Sequence, residues 1–176
     1  MRGKSNCPSC CAEQRFYDFV EQANQAVFDN GYANRALNLD AEQVPGAYDL
    51  VYVDTPYISQ RGVGVDYYSF YHFLEGLTMY DQWGQHLDLR SKHRRLKVQP
   101  NDWAHKKRIH AAFERLFRRY RDSIIVVSYR SDGLPSEPEL ASLLKRYKQH
   151  VQVEYLKYTY ALSSNSNSQE MLLIGT

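Results

Sequence analysis

The chain has 176 residues, 43% of them hydrophobic and 24% charged, with a formal net charge of +2. This length and apolar content support one domain with a core and exclude a disordered chain. No apolar run approaches the roughly 20 residues of a membrane span, and the polar N-terminus lacks the apolar stretch of a secretory signal, so a cytoplasmic protein is the expectation.

Residues 1–11 show no periodicity and are expected to be loose, leaving 12–176 as the folded part. Cys7, Cys10 and Cys11 make a CxxC, but a structural zinc site takes four ligands and nothing nearby completes the set. No metal site is expected. Phe16, Phe19, Val20, Ala23 and Val27 recur at helical spacing, and Asn30-Gly31 is a suitable stop. Ala36 to Leu39 reads as a short strand leading to Asp40, and Pro45-Gly46 as a turn. Tyr48 to Val53 (YDLVYV) is aromatic, β-branched and mostly apolar, as a buried central strand would be. It runs into Asp54-Thr55-Pro56-Tyr57, followed by a Gly-rich loop, RGVGVD.

Phe70, Phe73, Leu74 and Leu77 mark another helix, and Trp83 to Asn101 reads as a long, polar, basic loop. Trp103, Ile109, Phe113, Leu116, Phe117 and Tyr120 form the apolar stripe of the next helix. Its other face carries Lys106, Lys107, Arg108, Arg115, Arg118 and Arg119. Ser123 to Tyr129 (SIIVVSY) is a second buried strand. Ser136 and Glu139 fit a capping box for a helix bearing Leu140, Leu143, Leu144 and Tyr147. Val151–Tyr158 and Glu170–Ile174 are two more strands, and the SSNSNS linker at 163–168 permits a hairpin-like return. Strand, helix, strand, helix and strand pair imply an α/β sheet. Ligands of such sheets bind beyond the C-terminal strand ends, where Asp54–Tyr57 and Ser128–Asp132 fall.

A DTPY tetrad alone also fits a simple strand terminator, since the residue before proline prefers extended backbone. Its position, after an apolar strand and before an exposed loop, favours a ligand site. The residue types suit one chemistry. An exocyclic amine on a base is a poor nucleophile because its lone pair is delocalised into the ring. A carboxylate (Asp54) and a backbone carbonyl (Thr55) can accept both amine hydrogens. Pro56 fixes where that carbonyl points, and Tyr57 offers a ring to stack on a base outside the duplex.

Several blocks together resemble the C-terminal portion of the DPPY-type, Dam-like adenine-N6 DNA methyltransferases. They are DNGYANRALNLDAEQ, YDLVYVDTPYIS, GVGVDYYSFYHFLEGL, SIIVVSYRSDGLPS, KYTYALS and EMLLIG, covering the chain from about Phe16 to its end. The resemblance implies S-adenosylmethionine as methyl donor and transfer to the N6 amine of a flipped adenine in DNA. It implies that Asp54 and the Thr55 carbonyl accept from that amine and that Tyr57 stacks on the base. It implies an incomplete Rossmann-like methyltransferase sheet with helices on both faces, lacking the first strands. Asp40 resembles the acidic position that meets the donor's adenosine, and equally fits a solvent-facing turn. Phe70 resembles the aromatic placed against the donor's adenine, although its spacing with Phe73 and Leu74 favours core packing.

The chain departs from the family in two ways. Thr55 stands where proline is commoner, which preserves the carbonyl and gives up some rigidity. No Gly-rich FxGxG-like loop precedes Asp54, and RGVG follows the tetrad instead. Either the chain is a truncated product or a separate chain supplies the cofactor-binding half. In both cases one edge of the tetrad's strand is expected to lie open, and the isolated chain is expected to methylate weakly or not at all. Lys92, Arg94 and Arg95 in KHRRLK are candidate DNA-phosphate contacts or a solvated loop. Arg130, Ser131 and Asp132 suit either the site or a turn ending at Gly133. The competing function is a non-enzymatic DNA-binding remnant using the basic loop and helix.

Overall fold

A computed structural model of the chain describes residues 8–59, 62, 64, 66–156 and 168–176. The chain divides into two compact units, Met1–Asn38 and Leu39–Thr176. The first holds one helix, α1 (Pro8–Ala26), so residues 8–11, expected to be loose, are helical backbone. After α1 the side chains of Asp29 and Asn30 accept from the backbone N–H groups of Gly31 and Tyr32, and Gly31 takes a positive φ of 75°. The strand expected at Ala36–Leu39 does not form; this stretch is irregular. Three or four apolar residues without a paired neighbour have no ladder to join.

The second unit contains a four-stranded sheet in the order β1-β2-β4-β3. The strands are β1 (Leu50–Asp54), β2 (Ile124–Arg130), β3 (Val151–Leu156) and β4 (Glu170–Gly175). β1 and β2 are parallel, with Asp54 opposite Ser128. β4 runs antiparallel to both β2 and β3, as the hairpin-like pair predicts. The SSNSNS linker falls at residues 163–168, of which 163–167 lie outside the described residues.

Between β1 and β2 lie α2 (Tyr67–Phe70), α3 (His72–Thr78), α4 (Trp83–His86) and α5 (Ile109–Arg119); α6 (Glu137–Leu144) follows β2. The helix expected after the tetrad is broken at Tyr71. The region expected to be a long loop contains α4 and a bridge between Leu87 and Leu96, and a 3-10 turn at Asp102–Ala104 follows it. Leu96 is fully buried there, so an apolar anchor organises an otherwise polar stretch. α6 starts as its sequence indicates. The Glu139 carboxylate accepts from the Ser136 N–H and hydroxyl, completing the capping box.

The core forms where one sheet face meets α5 and α6. Val53, Ile125, Val127, Tyr129, Met171 and Leu173 pack with Ile109, Phe113, Leu116, Phe117, Leu140 and Leu144. Phe113 is completely buried, and truncating such a side chain costs on the order of 3–5 kcal/mol. The opposite face leaves Leu50, Tyr52 and Ile124 exposed. The expectation of helices on both faces is therefore corrected: among the described residues of this unit, the core helices occupy a single face. The buried central strand is corrected too. β1 has β2 as its paired neighbour and is an edge strand among the described residues, with Leu50 and Tyr52 more than half exposed. Its apolar composition suits a strand covered on both faces and both edges, which this unit does not supply.

Among the described residues no helix is long and apolar enough to cross a membrane. No group of three or more metal-ligating side chains occurs among them. The side chains of the CxxC segment lie outside the described residues.

Candidate functional site

The tetrad forms at the C-terminal end of β1, where the sheet stops and the chain turns over its top. The alternation of β1 sends Val51 and Val53 toward α5 and leaves Asp54 exposed. Thr55 is buried, and its hydroxyl has no hydrogen-bond partner among the described residues. Asp54, Thr55 and Pro56 line a cavity of about 380 Å³. Its apolar walls come from Val51, Val53, Ala41, Val44, Trp103, Leu116 and Tyr120. Mostly apolar walls with a few polar groups at one end are the usual make-up of a small-molecule site.

Tyr57 is half-buried and does not line this cavity. Its ring stands edge-on to Tyr129, with centroids 5.4 Å apart, and its hydroxyl donates to Glu170 Oε1 at 3.3 Å. The same carboxylate oxygen accepts from the Ser128 hydroxyl. Tyr129 continues the aromatic packing inward to Phe113 at 5.6 Å, and Phe113 meets Trp103 at 5.1 Å. One run of rings thus joins Tyr57 to the cavity wall through the core.

The chain leaving the tetrad is clamped. The buried Ile58 N–H donates to the Tyr129 hydroxyl, which donates in turn to the Leu134 carbonyl. The Leu134 N–H returns to the Ile58 carbonyl at 2.8 Å. Gly133 lies against the Tyr129 ring, where an added Cβ would approach Cε1 to 2.5 Å, so only glycine fits. Burial pushes the Tyr129 hydroxyl up to about 12, and it stays protonated through the neutral range. Tyr67 approaches from α2: burial first, and then the Asp54 carboxylate, raise its hydroxyl above the ordinary tyrosine value.

Asp40 stays within its own turn. It caps the 3-10 turn Ala41–Gln43, its carboxylate accepting from the Glu42 N–H at 2.9 Å. The turn it caps supplies Ala41 to the cavity wall. α5 holds this turn in place. Arg115 pairs with Glu42 and Asp102, Arg119 donates to the Val44 and Gly46 carbonyls, and the Tyr120 hydroxyl donates to the Ala41 carbonyl. Arg108 also pairs with Asp102. Arg108, Arg115 and Arg119 are thus committed to internal contacts, whereas Lys106, Lys107 and Arg118 of the same basic face are exposed.

Phe70 is 70% exposed on α2 and lines neither the core nor the cavity. Core packing, favoured by its spacing, is corrected: α2 is a single turn, too short to carry an apolar stripe down onto the core. Lys92, Arg94 and Arg95 are exposed on the turn between Leu87 and Leu96. Arg94 has a positive φ of 50° and donates to the Leu89 carbonyl. Arg130 and Asp132 pair through two hydrogen bonds at 2.9 and 2.7 Å, and the Gly133 N–H closes a turn onto the Arg130 carbonyl. Sequence reasoning missed Glu170 and Tyr67. It placed Ser128 and Tyr129 at a ligand-facing strand end without naming their partners, and Glu170 lies 113 positions from Tyr57.

Comparison with known proteins gives a consistent set of relatives. The chain is 29% identical over 159 residues to the modification methylase StsI of Streptococcus sanguinis, covering 88% of this chain and 23% of that protein. It is 32% identical over 148 residues to the type II methyltransferase M.FokI of Planomicrobium okeanokoites, with 82% and 22% covered. It is 27% identical over 161 residues to the type II methyltransferase M2.HphI of Haemophilus parahaemolyticus, covering 90% of this chain and 43% of that protein. The chain therefore spans less than half the length of each of these three relatives. No protein-family model and no solved structure matches it.

Proposed function

We propose that this chain is the base-binding part of an adenine-N6 DNA methyltransferase of the DPPY type. Nearly the whole chain aligns with modification methylases, which supports methyl transfer over a binding remnant. The observation that carries the reading is the exposed Asp54 at the strand end, lining a cavity beside Thr55 and Pro56 while Tyr57 is fixed next to it.

In this reading the Asp54 carboxylate and the Thr55 carbonyl accept the two amine hydrogens of an extruded adenine. Accepting both hydrogens biases the nitrogen lone pair out of conjugation with the ring, so that it is localised toward a methyl group. Pro56 fixes the backbone direction, and Tyr57 covers one face of the base. Positioning and electrostatics supply the catalysis; no side chain needs to form a covalent bond.

S-adenosylmethionine is the methyl donor this chemistry calls for, and it supplies an activated methyl on sulfur. The residues present fit it in part. The apolar cavity walls and the turn capped by Asp40 suit the nucleoside side of such a molecule. This chain has no Gly-rich loop before β1 to cradle the charged end. Among the described residues the free edge of β1 and the exposed Leu50 and Tyr52 agree with a sheet that is completed by further polypeptide.

The test uses a duplex carrying 8-vinyladenine, a fluorescent adenine that keeps the 6-amino group, opposite a gap, which makes extrusion easy. The chain should quench its fluorescence by stacking, and Tyr57→Ala should abolish the quenching. Fluorescence that never responds to the wild-type chain would sink the base-binding reading.

A further inference from the structure

We propose that Glu170 is a positioning residue for Tyr57, holding the ring ready to receive an extruded base. The inference rests on the base-binding reading and extends it to β4, the second strand over from β1. Glu170 opens β4, directly opposite Arg130 of β2, and β4 runs antiparallel, which brings its first residue to the strand ends where the tetrad sits. From there Glu170 Oε1 accepts from the Tyr57 hydroxyl at 3.3 Å and from the Ser128 hydroxyl. Ser128 is itself the partner of Asp54 across the β1–β2 ladder. One carboxylate oxygen therefore ties the tetrad's tyrosine to the strand beside its aspartate.

The geometry constrains Tyr57 at both ends of its side chain. The backbone just after it is held by the Ile58–Tyr129 and Ile58–Leu134 hydrogen bonds. The ring edge abuts Tyr129, and the hydroxyl is held by Glu170. A ring restrained in this way loses little further rotamer freedom when a base stacks on it, so more of the stacking energy appears as affinity. A glutamate needed only for the sheet would have no reason to bind a tetrad side chain 113 residues away.

The experiment compares the wild-type chain with Glu170→Ala, Glu170→Gln, Tyr57→Phe and the double variant Tyr57→Phe/Glu170→Ala. One readout is the ring signal of Tyr57 by NMR of 13C-tyrosine-labelled chain, assigned by its loss in Tyr57→Phe. The other is quenching of the gapped 8-vinyladenine duplex, with urea midpoints measured throughout. Loss of one such hydrogen bond predicts about a fivefold weaker duplex affinity in Glu170→Ala. Glu170→Gln, which keeps an acceptor oxygen, should recover most of it. Tyr57→Phe should match Glu170→Ala, and the double variant should be no worse than either single one. The Tyr57 signal should move in Glu170→Ala. Additive losses in the double variant, or a Tyr57 signal indifferent to Glu170→Ala, would overturn the assignment. Wild-type quenching that Glu170→Ala leaves unchanged overturns it while sparing the base-binding reading. An absence of wild-type quenching removes that reading and the positioning role with it.

Discussion

Replacing Tyr129 by phenylalanine should uncouple the tetrad's exit from the loop that follows β2. The side chain is completely buried. Its hydroxyl accepts from the buried Ile58 N–H and donates to the Leu134 carbonyl. Removing one partner of a buried hydrogen bond costs about 1–3 kcal/mol, so a destabilisation near the middle of that range is expected at pH 8. The pH dependence sharpens the test. Burial raises this hydroxyl from 10.0 to about 12, which is roughly 3 kcal/mol of preference for the neutral form in the folded chain. Below pH 10 both states are protonated and the contribution is complete. Between pH 10 and 12 the unfolded tyrosine ionises first, so the folded state loses that contribution as pH rises. Urea unfolding at pH 8, 10 and 11.5 should show the wild type falling more steeply than Tyr129→Phe. The other titrating groups are common to both proteins and cancel in the difference. Parallel stability profiles from pH 9 to 12 would refute the argument.

Three further outcomes are expected. Labelled methyl transfer to adenine-containing duplex DNA by the isolated chain should remain at background, and clear turnover would show that a Gly-rich loop before β1 is dispensable. Converting Lys92, Arg94 and Arg95 to alanine should weaken DNA binding and reduce its log–log salt slope by up to about 0.9 for each phosphate no longer neutralised; an unchanged slope would make this turn a solvated one. Gly76→Ala should destabilise the chain by about 1–3 kcal/mol in urea melts, because its Cβ would come within 2.0 Å of the Trp83 ring; a neutral effect would mean that Trp83 moves freely.

The amino-acid order by itself determined the local units of this protein. Alternating and continuous apolar runs specified β1, β2 and β4, since backbone pairing and burial act on neighbours two residues apart. The stripe of Ile109, Phe113, Leu116 and Phe117 specified α5, and Ser136 with Glu139 specified the start of α6. The strand end at the tetrad was legible too, because the apolar run stops at Asp54-Thr55-Pro56. The meeting of distant groups, by contrast, is set by three-dimensional packing. Nothing local in the sequence marks the Glu170 carboxylate as the acceptor for Tyr57, Arg115 as the holder of Glu42, or Tyr129 as the clamp on Ile58. Those pairs lie 113, 73 and 71 positions apart, and strand order sets them. Nor could composition separate an edge strand from a central one: the apolar content of β1 is the same in either place, and its neighbours alone determine how much of it faces water.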